Sequence, residues 1–278
     1  MLRTDQATDD GGWGRGRLLA TLAVGLAAAL LLVAGLGLAL YYGLRGTDPQ
    51  QAADSQDIRR ATAASGASYR DQVAAAPMLQ VTPADARSGV PAATPGPVID
   101  VPPATTVGPA QVPTGFPQTP EGAVGQLAAI ETTVLEGMSI AQTNQVHQQW
   151  ALPGAVDIAE WPLIMNVQSF LSAAGQNQAK DPTVAVTATP VAGQVKATDD
   201  SDWVLACVLL DIRATITTEA RIAYGYCERM QWQPGGDEGG RWMLAPGAPA
   251  AAAPSTWPGT DIAFEAGWRT WATSDETD

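Results

Sequence analysis

Residues 203–216, WVLACVLLDIRATI, and 221–232, RIAYGYCERMQW, decide how this chain folds. Both runs are rich in β-branched, aromatic and aliphatic residues, and Thr217, Thr218 and Glu219 separate them, which predicts two long antiparallel strands joined by a short connection. If the connection centres on Thr217, Cys207 faces Cys227, and the same register sets Val208 against Tyr226, Leu210 against Tyr224 and Ile212 against Ile222. The even positions then form an apolar face, while the odd positions carry Asp211, Arg213, Arg221 and Arg229 together with the cysteines and read as the solvated side. Arg213 opposite Arg221 is a like-charge pair that this register tolerates only if Asp211 lies diagonally close enough to offset it. In an oxidising compartment the two cysteines bridge and close a loop worth roughly 3 kcal/mol. The alternative is a pair of free, partly buried thiols.

Upstream of these strands the periodicity is helical. Thr119 suits an N-cap, Pro120 the first helical position and Glu121 the positive end of the helix dipole. Val124, Leu127, Val134, Leu135 and Met138 follow on one face. A second helix covers Ile140 to Trp150 and stops by Pro153-Gly154; a third begins near Trp161-Pro162, carries Leu163, Ile164, Val167 and Leu171 on one side, and ends at Gly175. Val184, Val186 and Ala188 then alternate as a first strand that Pro190 pushes to an edge or a bulge, and Arg241 to Leu244 supplies a fourth after a Gly-rich turn. Helices first and strands second predict an α+β fold, about three helices packed on a curved antiparallel sheet of about four strands.

The last segment is an Ala/Pro tether, Ala245 to Pro254, leading to Thr260 as the cap of a short C-terminal helix. Phe264, Trp268 and Trp271 recur there at i, i+4 and i+7, an aromatic stripe that either packs back on its own domain or serves as an interaction surface.

Residues 18–44 are 27 uncharged residues bracketed by Arg15, Arg17 and Arg45. A helix needs about 20 apolar residues to cross a bilayer, so this stretch predicts an uncleaved transmembrane anchor. Gly25 with Ala29, and Gly35 with Ala39 and Gly43, are spaced as in helices that associate in lipid. Arg15 and Arg17 beside the amino terminus favour a cytoplasmic tail of residues 1–17, with residues 116–278 outside as an extracytoplasmic domain. Between them, residues 45–115 are rich in Ala, Gln, Ser and then Pro, and predict a disordered linker.

Charge narrows the function. Residues 121–278 carry 7 bases and 19 acids, 7 − 19 = −12, so a direct nucleic-acid-binding role is disfavoured. Two cysteines without histidine or cysteine companions make no zinc site, and phosphate-binding glycine motifs are absent. The single histidine, His147, lies in the polar run NQVHQQ, a solvated helix face rather than a catalytic base, and Asp211 reads as solvated. No catalytic residue, metal or cofactor is expected.

The blocks GFPQTPEGAVGQLAAIE (115–131), RWMLAPG (241–247) and STWPGTDIAFEAGWR (255–269), with the Cys-bearing strand pair, resemble a family of actinobacterial single-span membrane proteins found with integrative conjugative elements. The overall plan is similar to the bridge proteins of type IV secretion channels, including the TcpC type, whose domain is a cone like that of nuclear transport factor two. The resemblance implies an assembly subunit in contact with other membrane or secretion-channel proteins; the apolar stretch adds contact with the lipid bilayer, its small-residue spacing allows further copies of the chain, and the missing acid–base residues make the role non-catalytic. Its alternatives are an extracytoplasmic ligand- or wall-binding module and a cone-fold isomerase or hydrolase.

Overall fold

A computed structural model of the chain describes residues 68–215, 218–235 and 239–273. The expected anchor at 18–44 and the first part of the expected linker lie outside those residues. Among the described residues no helix is long and apolar enough to cross a membrane.

The helical layer follows the local signals. Thr119 accepts a hydrogen bond from the Gly122 amide at 3.0 Å and Pro120 opens the first long helix, α2 (Pro120–Gly137), whose end is marked by Met138 at φ 40°. Helix α3 (Ile140–Trp150) is capped by Ser139, and α4 (Pro162–Ala173) starts at its proline and gives way to Gly175 at φ 65°. Four long or medium strands follow: β4 (Ala185–Asp199), β5 (Trp203–Thr215), β6 (Glu219–Gln233) and β7 (Arg241–Leu244). Strands β5 and β6 pair in the register the cysteines require, with Cys207 opposite Cys227 and Ile212 opposite Ile222, and the two cysteines are bridged. Pro190 sits at a register shift in β4, the bulge that its missing amide demands.

The sheet is larger than four strands, and it is mixed. Its order is β1-β8-β4-β5-β6-β7, in which β1 (Val98–Val101) runs parallel to β8 (Arg269–Thr273) and the other pairings are antiparallel. A separate two-stranded ribbon, β2 (Thr106–Val107) with β3 (Pro113–Thr114), precedes α2. The domain is thus an α+β half-barrel, about four helices on a curled sheet of six strands.

Both added strands correct the sequence-based reading. The expected C-terminal helix is only α5 (Asp261–Glu265), because Gly267 at φ 92° turns the chain and Trp268 closes the helix by donating its amide to Ala263 at 3.0 Å; the chain beyond it pairs as β8. Residues 68–115, expected to be part of a disordered linker, are built into the domain. They supply α1 (Tyr69–Ala75), the ribbon and β1.

The reason lies in the odd positions of the hairpin. Even positions Val204, Val208, Leu210 and Met230 pack with α2, α3 and α4 in the main core. The odd positions Trp203, Leu205, Cys207 and Leu209 are no more exposed, at 1 % or less, so the face expected to be solvated is covered over most of its length. What covers it is the strap that runs through α1 and residues 76–92, together with the Ala/Pro segment after β7. Met78 lies against the disulfide, with Sδ 3.6 Å from Cys227 Sγ, and Ala74 packs with Trp203 and Leu205. Polar contacts pin the strap at several heights: Asp71 with Arg229 at 2.7 Å, Arg70 with Asp199 at 2.5 Å, and the Ala223 amide donating to Ala86 at 2.8 Å. Strap and tail also bond to each other, Ala251 to Ala74 and Ala92 to Gly259, both at 2.8 Å. Gly225 is required where the tail crosses the sheet, since a Cβ there would lie 2.7 Å from the Pro254 carbonyl oxygen.

Two outcomes test this architecture. A fragment starting at residue 116 leaves Leu205 and Leu209 uncovered and should be less stable than one starting at residue 68 by at least about 3–6 kcal/mol, read from urea midpoints; equal midpoints would refute the covering role of the strap. Replacing both Cys207 and Cys227 by alanine should lower stability by roughly 3 kcal/mol, and reductant should lower the melting temperature of the parent chain but not of the variant.

Candidate functional site

The inner face of β6 carries Tyr224, Tyr226 and Glu228 at alternate positions, all directed at the helices. Their setting is polar in an otherwise apolar core. Tyr226 donates its hydroxyl to Glu228 Oε2, and the Arg229 amide donates to Glu228 Oε1 at 3.0 Å. Tyr224 accepts from Asn166 Nδ2 at 2.7 Å, and its ring lies 6.3 Å from that of Tyr226, nearly parallel. Facing them from α2 is Glu131, fully buried, with neither carboxyl oxygen hydrogen-bonded.

Burial, then the neighbouring Glu228, push the Glu131 carboxyl well above the usual range, which favours its neutral form. Glu228 is also raised by burial, but less freely: the Tyr226 hydroxyl, the Arg229 amide and the Trp161 indole oppose the shift. That indole closes no hydrogen bond of ordinary geometry. Burial pushes both tyrosines up as well. Glu131 and Glu228 are 0 % and 4 % exposed and present no open face to a substrate.

Neither acid was singled out from the sequence, although a signal for each existed. Glu131 stands four residues after Leu127 and three before Val134, on the apolar face of its helix, and Glu228 falls on the even, apolar side of β6.

Among the described residues, two of the surface openings are apolar. One, of about 230 Å³, is lined by Pro102, Phe116, Pro190 and Trp271 beside the edge strand β1. The other lies on the helix side of β6 near the tip of the hairpin, where clefts of about 370 and 530 Å³ share Arg87, Met138, Phe170, Ile212 and Ile222. Asn166 and Tyr224 line the inner end of this groove, so Tyr224 separates it from the buried acids.

The aromatic stripe expected at the C-terminus does not form. Phe264 closes over Gly96, where a Cβ would strike its ring. Trp268 is 1 % exposed under the strap side of the sheet and donates its indole N–H to Pro254 at 2.9 Å, whereas Trp271 packs with the helix-side core. Of the three only Trp271 borders an opening among those described above. His147 is half-buried, its Nε2 2.8 Å from the Val156 carbonyl oxygen and its ring tilted against Trp161, so it ties a loop to α3. Asp211 is buried rather than solvated: it accepts from Arg221 at 2.7 and 2.8 Å and pairs with Arg213 at 3.2 Å, which offsets the like-charge pair across the strands. Burial raises its carboxyl, and the hydrogen bonds from Arg221 and Arg213 outweigh burial and hold it below the usual range.

No family model, no curated protein and no solved structure matches the chain.

The state of Glu131 is measurable. A carboxyl raised in the folded state contributes stability that is full below its unfolded value of 4.5 and is lost as pH rises toward the folded value. Glu131→Met removes an unpartnered buried polar group and should stabilise the domain by about 1–3 kcal/mol at pH 7, with a smaller gain at pH 4. Melting curves at both pH values check this, and a gain that did not grow with pH would contradict a neutral Glu131.

Proposed function

We propose that this chain is a membrane-anchored, non-catalytic assembly subunit whose α+β domain works outside the cytoplasm through protein–protein contacts, in a conjugative DNA-transfer channel of the type IV secretion kind. The observation that carries this reading is the filled interior. Trp150, Trp161, Leu127 and Leu163 are all 1 % exposed or less between helices and sheet, and the acid pair among them is closed from solvent. Such a domain offers surfaces for binding instead of a chamber for chemistry.

Several features support the particulars. Helices followed by a curled sheet suit a cone of the nuclear transport factor two type, an analogy of architecture alone. The Cys207–Cys227 bridge is the mark of an oxidising compartment, in keeping with a domain held outside by an anchor at residues 18–44 and a cytoplasmic N-terminus. The contact face we assign is the cleft around Trp271 next to edge strand β1, where Val98 is 55 % exposed. An aromatic in an apolar recess is the usual anchor of a protein interface. A second reading, an extracytoplasmic ligand-binding module, is favoured by the groove beside Phe170.

In donor cells, Trp271→Glu should reduce element transfer by about tenfold or more while the disulfide and the protein level are retained. A photo-crosslinking residue at position 271 should capture a component of the same element's channel. Wild-type transfer after deletion of the whole gene, with no channel protein captured, would end the proposal.

A further inference from the structure

The groove at the helix side of β6 lies where the helical layer meets the hairpin tip. Met138 just after α2 and Phe170 in the last turn of α4 stand there beside Ile212 and Ile222. Ile212 and Ile222 are directly paired; Ile212 packs against the edge of the main core, whereas Ile222 is left 43 % exposed. Phe170 and Met138 form the helix side of the trough, and Arg87 on the strap forms its lip. The wall is almost wholly apolar, and the two connected clefts of about 370 and 530 Å³ fall in the size range of sites for small organic ligands.

The charge at the lip identifies the polar end of that ligand. Residues 121–278 carry a net charge of 7 − 19 = −12, yet arginines gather at this end of the hairpin. Arg221 and Arg213 already share Asp211. Arg87, exposed on the strap, has no acid paired with it among the described residues. One apolar trough with one uncommitted guanidinium matches one alkyl chain ending in one anion.

We propose that this groove binds a free single-chain amphiphile with an anionic head, a long-chain carboxylic acid, its alkyl chain lying between Phe170, Met138 and Ile222 and its carboxylate on Arg87. Burying the chain supplies the cover that Ile222 lacks, and the head group meets a cation without displacing an ion pair of the described residues. This site is separate from the Trp271 cleft and does not depend on the assembly role.

The test uses the full chain in phosphatidylcholine nanodiscs and a photoactivatable diazirine analogue of palmitic acid, with adducts mapped by mass spectrometry. Labelling should concentrate on peptides containing Phe170, Met138 or Ile222 and be displaced by palmitic acid but poorly by its methyl ester. It should fall about fivefold with Arg87→Glu and be lost with Ile222→Asp. Met165→Glu, at an equally exposed apolar position that lines neither cleft, should leave it unchanged. Adducts scattered over the surface, or insensitive to Arg87→Glu and Ile222→Asp, would overturn the proposal. So would equal labelling of the groove by a diazirine phosphatidylglycerol, which would make bilayer lipid the occupant. A loss of dimer mass on Ile222→Asp with no labelling of the parent chain would make the occupant a second copy and overturn it as well.

Discussion

Strand β5 is apolar on both sides from Trp203 to Leu210, and the rest of the domain is arranged to bury both of its faces. A strand with one wet face alternates; this one does not. Its even residues take the helices α2, α3 and α4, which are ordinary amphipathic partners. Its odd residues need a second layer, and the chain makes that layer from segments with little regular structure of their own: the strap through α1 to residue 92 and the tail from Ala245 to Thr260. Such segments can cover a sheet only if their backbone groups are met. Here some are met by β6 and some by each other, while side-chain ion pairs such as Asp71 with Arg229 hold the strap in place. The disulfide sits in the middle of this covered face, where it ties β5 to β6 and is itself packed under Met78.

The same two-layer arrangement gives the domain its polar core and its apolar openings. Glu131 and Glu228 stand on faces that the fold must bury, so burial raises both carboxyls and favours their neutral forms at a cost in stability. A residue kept under those terms is a candidate for function, although its burial argues against direct contact with a substrate. The openings lie at the hairpin tip and at the β1 edge, where apolar side chains are left partly exposed.

Much of the fold was legible because it is local. Thr119-Pro120, Ser139 and Pro162 mark helix starts whose physics is confined to one turn, and these helices begin where expected. The hairpin register followed from the demand that one pairing match both the cysteines and the apolar positions, with Asp211 offsetting Arg213 against Arg221. The strap was missed because its composition, rich in Ala, Pro and Ser, does not oppose disorder by itself. The cue was on the other partner: an uninterrupted apolar run in β5 requires cover on both faces. The C-terminal aromatic stripe was misread because a helical spacing was carried through Gly267, which breaks it. That residue splits Phe264, Trp268 and Trp271 among a helix end, the strap-side core and the helix-side core.

By itself the sequence determined the order of α2 to α4 and β4 to β7, the register that sets Cys207 opposite Cys227 and the acidity of the folded part, since each depends on neighbouring residues or on a count. It also sets apart residues 18–44 as a stretch of membrane-spanning length. Only the tertiary structure decided that residues 68–115 belong to the domain, that β1 and β8 complete a six-strand mixed sheet, that Glu131 faces Glu228, and that Arg87 lies at the lip of an apolar groove. Each of those joins residues far apart in the chain, and such contacts are set by which surfaces remain uncovered after the local elements form.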